Sequence, residues 1–264
     1  MRLWYTSLIQ VSLFVQLPDR HIGTLAHWCT VSAKGVSVAT DYSKLKAVIF
    51  DSDGTLVDSE TTSLRVLVEC VGELGLELEH SECVAKYAGK ELSAVFRDFE
   101  DALERPLPND FLQTFRQRQM AVLGDTVQQI HGAQTLLERL SLPYCLASNA
   151  PPDKIGLCLE AAGLAHLIPE TRRFSAYQIE KWKPDPALFL WAAETLGFPP
   201  EHCAVVEDSQ FGVQAGLDAG MHVFALGAHA LASPDVARNH RVTVISQLPE
   251  LMTLLPITSN NDNC

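Results

Sequence analysis

From about residue 44 onward, short apolar runs alternate with longer amphipathic stretches. Ala47-Val48-Ile49-Phe50 is bounded by polar residues on both sides and predicts a buried parallel strand. Runs of the same kind recur at Tyr144-Cys145-Leu146-Ala147, Cys203-Ala204-Val205-Val206, His222-Val223-Phe224-Ala225 and Val242-Thr243-Val244. Helical patterns lie between the later runs, over roughly 152–162, 186–196 and 210–219. For the second of these, Asp185 is the expected N-cap, with Pro186 at the first helical position. Strands separated by helices predict βαβ units, hence an α/β doubly wound parallel sheet covered on both faces. Gly212, Gly216 and Gly220 recur every fourth residue and predict close packing of that helix on the sheet.

One interval departs from this rhythm. More than ninety residues separate the first two strands, where a crossover needs only about a dozen. Leu64, Leu67, Val68 and Val71 mark one amphipathic helix that ends at Gly75. Leu92, Val95, Phe96, Phe99 and Leu103 mark another, and a third, less regular, is expected around 109–123. The interval 58–130 therefore reads as a small helical domain inserted into a core made of 44–57 and 131–255, with a tail at 256–264. Such an insertion lies over the carboxyl end of the first strand, where open α/β sheets bind ligands.

Residues 1–43 do not share the pattern. Leu3 to Leu17 is apolar-rich and uncharged, but polar residues interrupt it and it is shorter than the ~20 residues that span a bilayer. Pro18-Asp19-Arg20-His21 stands where a signal peptide would carry a cleavage site. The expectation is an extension outside the working core, arising from a non-native or over-called translation start.

Composition narrows the function. Lys+Arg 20 against Asp+Glu 32 gives a net charge of −12, which argues against nucleic acid or an anionic membrane as partner. An anionic small molecule stays open, since its site needs only a few local cations. The seven cysteines never form CxxC and read as reduced, cytosolic thiols.

The candidate chemistry sits at strand tips. After the first strand comes Asp51-Ser52-Asp53-Gly54-Thr55. Gly54 implies an immediate turn, so both carboxylates crowd one spot; two acids there call for a divalent cation with oxygen ligands. The second strand ends at Ser148-Asn149, a hydroxyl and an amide able to donate to phosphoryl oxygens. Lys183 precedes Pro184, which keeps it out of helical geometry with its amine free to reach inward. The strand at 203–206 runs into Glu207-Asp208-Ser209, two further acids. Each group has an ordinary explanation alone, as turn, cap or surface residues, but together they recur in one order at the strand ends of one sheet.

These motifs resemble those of the haloacid dehalogenase-like hydrolases, specifically the phosphatases with a helical cap between the first and second motifs. The resemblance covers about 44–255. KWKPDPALF at 181–189 and GVQAGLDAGM at 212–221 look close to the family's bacterial sugar-phosphate phosphatases. It implies that Asp51 attacks phosphorus to form an aspartyl-phosphate, and that Asp53 protonates the leaving alkoxide and then activates water. It further implies Mg²⁺ held by Asp51, the Asp53 carbonyl and Asp208, with Glu207 nearby, and phosphoryl oxygens bound by Ser148 and Lys183. Thr55 and Asn149 are expected to complete the phosphate end.

Within the family, Asp53 argues against dehalogenases and phosphonate-cleaving relatives. A β-phosphoglucomutase-like mutase is the closest alternative, and Thr55 leans towards a phosphatase. A non-catalytic phosphometabolite-binding protein would have lost Asp51, Asp53, Lys183 or Asp208, all of which are present. In related capped enzymes a loop before the second cap helix discriminates substrates, and Gly89 and Lys90 occupy that place here. The expectation is a cytoplasmic monomer or weak homo-oligomer that hydrolyses a small sugar phosphate such as 6-phosphogluconate.

Overall fold

The computed structural model describes residues 41–87 and 92–258, together with a short antiparallel pairing of Val31–Ser32 with Gly35–Val36. That pairing belongs to a separate unit, Met1–Asp41, and the compact domain begins at Tyr42. The boundary thus falls two residues before the expected Lys44, because Tyr42 is bound into the sheet. Its hydroxyl lies 2.8 Å from Thr243 Oγ1, and its ring packs against His222 and Phe224. The remainder of the expected 1–43 extension, including Leu3 to Leu17, lies outside the described residues.

Six parallel strands form the core: β1 (Ala47–Phe50), β2 (Tyr144–Ser148), β3 (Arg173–Ser175), β4 (Cys203–Glu207), β5 (His222–Leu226) and β6 (Val242–Ile245). They lie in the order β3-β2-β1-β4-β5-β6, all parallel. Chain direction across the sheet reverses between β1 and β4, and the carboxyl ends there frame the crevice where open α/β sheets take ligands. Alternation divides each strand between two cores. Val48, Phe50, Leu146, Ala204 and Val206 join one apolar cluster, while Ala47, Ile49, Cys145, Cys203 and Val205 join the other. β3 was not expected; at three residues it carries too little pattern to register in sequence.

The interval after β1 folds into four helices: α1 (Glu60–Gly72), α2 (His80–Tyr87), α3 (Leu92–Leu103) and α4 (Phe111–Thr126). Leu64, Leu67, Val71, Val95, Phe99 and Phe115 bury together in a third cluster of their own. A two-residue ribbon, Val57–Asp58 against Gln128–Gln129, ties the two crossing segments side by side. α4 runs past the expected 109–123, and its pattern is irregular because the polar Gln119 is buried on it, donating to Ser63 Oγ at 2.6 Å. Gly89 and Lys90 lie outside the described residues.

The sheet-flanking helices are α5 (Ala133–Arg139), α6 (Pro152–Ala161), a single turn α7 (Ala176–Ile179), α8 (Ala187–Leu196) and α9 (Gln210–Asp218). α8 starts one residue later than expected, with Pro186 in the capping position. Asp185 still satisfies the free end, its Oδ1 accepting from the Ala187 amide at 2.9 Å. At the far end, Leu140 bridges Ile257 and Thr258 N donates to Arg139 O, so the expected tail is bound to the core through Thr258. The five described cysteines, Cys70, Cys83, Cys145, Cys158 and Cys203, are free and buried.

Candidate active site

The β1 and β4 tips are registered by the pairing of Phe50 with Val206, and the Asp51 amide donates to Val206 O at 3.0 Å. Asp51 and Glu207 therefore leave adjacent strands at the same level. Gly54 turns the chain at once, with φ of +87°, a conformation that favours glycine. Space requires it as well: a Cβ at Gly54 would lie 2.0 Å from Asp208 Oδ2. Sequence reasoning crowded the Asp51 and Asp53 carboxylates at one spot; the fold instead gathers Asp51 with Glu207 and Asp208, one carboxylate oxygen of each within 4.8 Å of the others, and directs the Asp53 carboxylate at Ser59 and Lys154.

Lys183 stands among them, fully buried. Its Nζ donates to Asp51 Oδ1 at 2.5 Å and to Glu207 Oε1 at 2.9 Å, and lies 4.7 Å from the centre of the Phe189 ring. Burial would lower its pKa, but the Asp51 and Glu207 charges outweigh this and hold it above the ordinary lysine value. Glu207 spends its other oxygen on the Ser209 amide at 2.7 Å. Both its oxygens are thus committed to the protein, which makes it the brace of Lys183.

Asn149 positions the same lysine from β2. Its Oδ1 accepts from the Lys183 amide at 2.9 Å, and its Nδ2 donates to the Lys183 carbonyl at 3.4 Å. Ser148 is buried; its Oγ accepts from the Ala150 amide at 3.0 Å and so retains its own proton to donate. Thr55 donates its hydroxyl to Asp208 Oδ1 at 3.0 Å. The amide of Asn149 and the hydroxyl of Thr55, read from sequence as phosphate contacts, are directed at Lys183 and Asp208.

The acids are unevenly compensated. Burial pushes the Asp51 carboxyl up, Glu207 and Asp53 add to this, and Lys183 opposes it, leaving a pKa of about 7. Asp208 is pushed up to about 8, by burial first and then by Glu207 and Asp51; its direct partner is the neutral Thr55. Two carboxyls held high beside a single ammonium, with oxygen donors only among the clustered acids, fit a hard divalent cation. Asp51 and Asp208 are the side chains that would hold it, with the Asp53 carbonyl between them in sequence.

Asp53 has different surroundings. Its Oδ1 accepts from Ser59 Oγ in a short contact and from Lys154 Nζ at 2.9 Å. Burial acts against ionisation, but the Lys154 charge and these two hydrogen bonds hold the carboxyl below its ordinary range. Sequence reasoning missed Lys154. The available signal was a lysine in the first turn of α6, where the helix dipole disfavours a cation unless an acid faces it.

A cleft of about 680 Å³ opens from Asp53 and Lys154 towards the four-helix segment. α1 supplies Ser63, Leu64 and Leu67, and α4 supplies Phe115, Arg116 and Gln119. Tyr177 from α7 lines it as well. Arg116 and Tyr177 carried no sequence signal, since each stands alone in a polar surface pattern.

An open parallel sheet of this order, with motif segments at the ends of β1, β2 and β4 and Lys183 reaching in from the loop after α7, defines the class. The chain belongs to the haloacid dehalogenase-like hydrolases, whose family model matches residues 48–226. It is 36% identical over 211 residues to 6-phosphogluconate phosphatase of Escherichia coli, covering 79% of this chain and 95% of that protein. It is 30% identical over 216 residues to hexitol phosphatase A of the same organism, covering 80% and 94%. Among solved structures, a HAD family hydrolase from Deinococcus radiodurans with bound phosphate and sodium superposes with a TM-score of 0.67 at 30% identity, covering 81% of this chain and 99% of that one. A structure described as a putative β-phosphoglucomutase from Thermotoga maritima shares the fold, with a TM-score of 0.64 at 22% identity, covering 80% and 98%. The chain is a phosphatase of this family, a phosphoric monoester hydrolase with sugar-phosphate phosphatase relatives. Among the described residues no helix is long and apolar enough to cross a membrane.

Proposed function

We propose that the protein is a Mg²⁺-dependent phosphatase that removes phosphate from a small sugar phosphate such as 6-phosphogluconate, through an aspartyl-phosphate on Asp51. The observation that carries this reading is the pairing of buried Lys183 with both Asp51 and Glu207 at the tips of β1 and β4. That lysine holds a carboxylate nucleophile in place and offers positive charge to the incoming phosphoryl oxygens. Bound at Asp51, Asp208 and the Asp53 carbonyl, Mg²⁺ would neutralise charge between nucleophile and phosphate.

The remaining roles follow from the side chains. Asp51 attacks phosphorus in line, splitting hydrolysis into two easier steps. Asp53, ionised at rest against Lys154, takes up the proton carried by the monoprotonated phosphate ester and passes it to the leaving alkoxide, and later takes one from the water that opens the acyl phosphate. Ser148 donates to an equatorial oxygen, and Lys183 supplies fixed charge where the transition state spreads its own. The leaving group extends into the cleft over α1 and α4. The choice of 6-phosphogluconate is supported by the relative of that name, which matches over most of both chains.

A hydrolysis screen across phosphorylated metabolites with Mg²⁺, scored by kcat/KM, tests the reading. Asp51→Asn keeps shape and removes the attacking charge, so turnover should fall by several orders of magnitude while the fold persists. Beryllofluoride with Mg²⁺ should trap on Asp51 in the unaltered protein. A fully active Asp51→Asn protein would overturn the mechanism.

A further inference from the structure

Arg116 and Arg118 stand two residues apart on α4 and have opposite fates. Arg118 grips Glu73 with both guanidinium nitrogens, at 2.5 and 2.9 Å. Arg116 lies on the same face as Gln119 and Met120, at the i+3 and i+4 spacings that share a helix face, and all three line the cleft. Its contact is a neutral one, an Nη2 bond to the Tyr177 hydroxyl at 3.3 Å across to α7. Among the described residues it has no carboxylate within 4 Å.

Among the described residues the charges facing this cleft are few. Asp53, Glu60 and Asp153 are acidic; Lys154 and Arg116 are basic. Lys154 is taken by Asp53 at 2.9 Å. Among the described residues Arg116 is then the cation turned towards the leaving-group side of the cleft, and a phenol meets it there. A guanidinium presents a planar fork of donors that fits a carboxylate in two parallel hydrogen bonds, which a phenol cannot supply.

Resting on the phosphatase reading above, we propose that Arg116 is a specificity-determining residue of this cleft, binding a carboxylate at the end of the substrate remote from the phosphate, with Tyr177 holding the guanidinium in position. The substrate class is then an acidic sugar phosphate, one anionic group at each end, rather than a neutral hexose or hexitol phosphate. Phosphate chemistry stays with Asp51, Asp53 and Lys183, while the choice of leaving group lies on α4. Leu64 and Leu67 along the cleft wall cover the carbon chain between the two anions.

The test compares 6-phosphogluconate with sorbitol 6-phosphate, which differ chiefly in the terminal carboxylate. Calorimetric binding of both to the Asp51→Asn protein with Mg²⁺ reports recognition without turnover. Arg116→Met should weaken 6-phosphogluconate ten- to a hundred-fold, as expected for a lost charge-assisted contact, and leave sorbitol 6-phosphate within about two-fold. Arg116→Lys should recover part of the preference, and Arg118→Met, on the other face, should leave it intact. In proteins with Asp51 unaltered, kcat/KM should follow the same order. Equal losses for both ligands, no loss for either, or an original preference for the neutral ester would overturn the assignment of Arg116. Intact binding discrimination without hydrolysis of any ester would instead overturn the phosphatase reading.

Discussion

Lys154 and Asp53 form an ion pair of 2.9 Å that joins the first turn of α6 to the loop after β1, with side chains only 16% and 28% exposed. A lysine near a helix N-terminus opposes the local dipole. Asp53 compensates it, and in return the carboxylate is held ionised and pointed at the cleft. Burial would lower the Lys154 pKa, yet the Asp53 charge keeps it raised. The partner therefore fixes where Asp53 stands as well as its charge.

If Asp53 exchanges protons with the leaving group and with water, losing this partner should slow every substrate alike. Lys154→Met is expected to reduce kcat about ten- to a hundred-fold, a fraction of what a positioned acid–base group contributes. Acidic and neutral sugar phosphates should suffer equally, unlike the Arg116 variants. Ser59→Ala, which removes the shorter contact to Asp53, should give a smaller loss in the same sense. Steady-state kinetics on both ester types, with circular dichroism to verify folding, decides the matter; unchanged kcat in Lys154→Met would remove it as the orienting group.

The pH dependence of stability follows from the acids at the sheet tips. Asp51 and Asp208 have folded pKa values raised from 3.8 to about 7 and about 8. A carboxyl raised on folding binds its proton more tightly in the native state, so its contribution is present at low pH and lost as pH rises through the folded value. Protein stripped of divalent cations should accordingly show a Tm that falls between about pH 4 and pH 8. Mg²⁺ should raise Tm more at pH 8.5 than at pH 6, where protons compete for the same oxygens. His222 acts on the acid side: burial first, then His240 and Arg241, depress it to about 4. Its contribution is present above pH 6.5 and is lost as pH falls towards 4, so His222→Gln should flatten the acid limb. A Mg²⁺ effect on Tm that is independent of pH would contradict this account of Asp51 and Asp208.

How much of this was legible beforehand depended on the range of the interactions. β1 and β4 are buried on both faces, and a strand of that kind announces itself as an unbroken apolar run. Asp51, Asp53, Glu207 and Asp208 were legible because acids clustered directly after such runs have a limited set of explanations. β3 was not legible, since three residues carry no period. The bond of Asn149 to Lys183 joins positions 34 apart in the chain and depends on how the β2 and β3 loops pack. The same applies to Lys154 and Asp53, separated by 101 positions. Gln119 obscured α4 for the opposite reason: a polar residue on a buried face blurs the apolar stripe, and its partner Ser63 is on another helix.

Gly212 and Gly216 read alike in sequence, as smooth places where α9 meets the sheet, but the structure gives them different tasks. A Cβ at Gly216 would meet Val223 Cγ2 at 2.8 Å, an ordinary overpacking contact. A Cβ at Gly212 would fall 1.8 Å from Glu207 Oε1 and 1.9 Å from its Cδ. Glu207 cannot yield, because one oxygen holds Lys183 and the other holds the Ser209 amide. Gly212→Ala should therefore dislodge the brace of Lys183 and leave a buried charge without its partner, a change that typically costs about 3–5 kcal/mol. Gly216→Ala should cost about 1–3 kcal/mol, as overpacking does. Urea denaturation measures both. Kinetics separates them further: at temperatures where both variants remain folded, Gly212→Ala should lose kcat because Lys183 no longer holds Asp51, whereas Gly216→Ala should keep it. Equal kcat in the two variants would show that Lys183 stays in place without Glu207, and that the acid at the end of β4 is dispensable for holding the nucleophile.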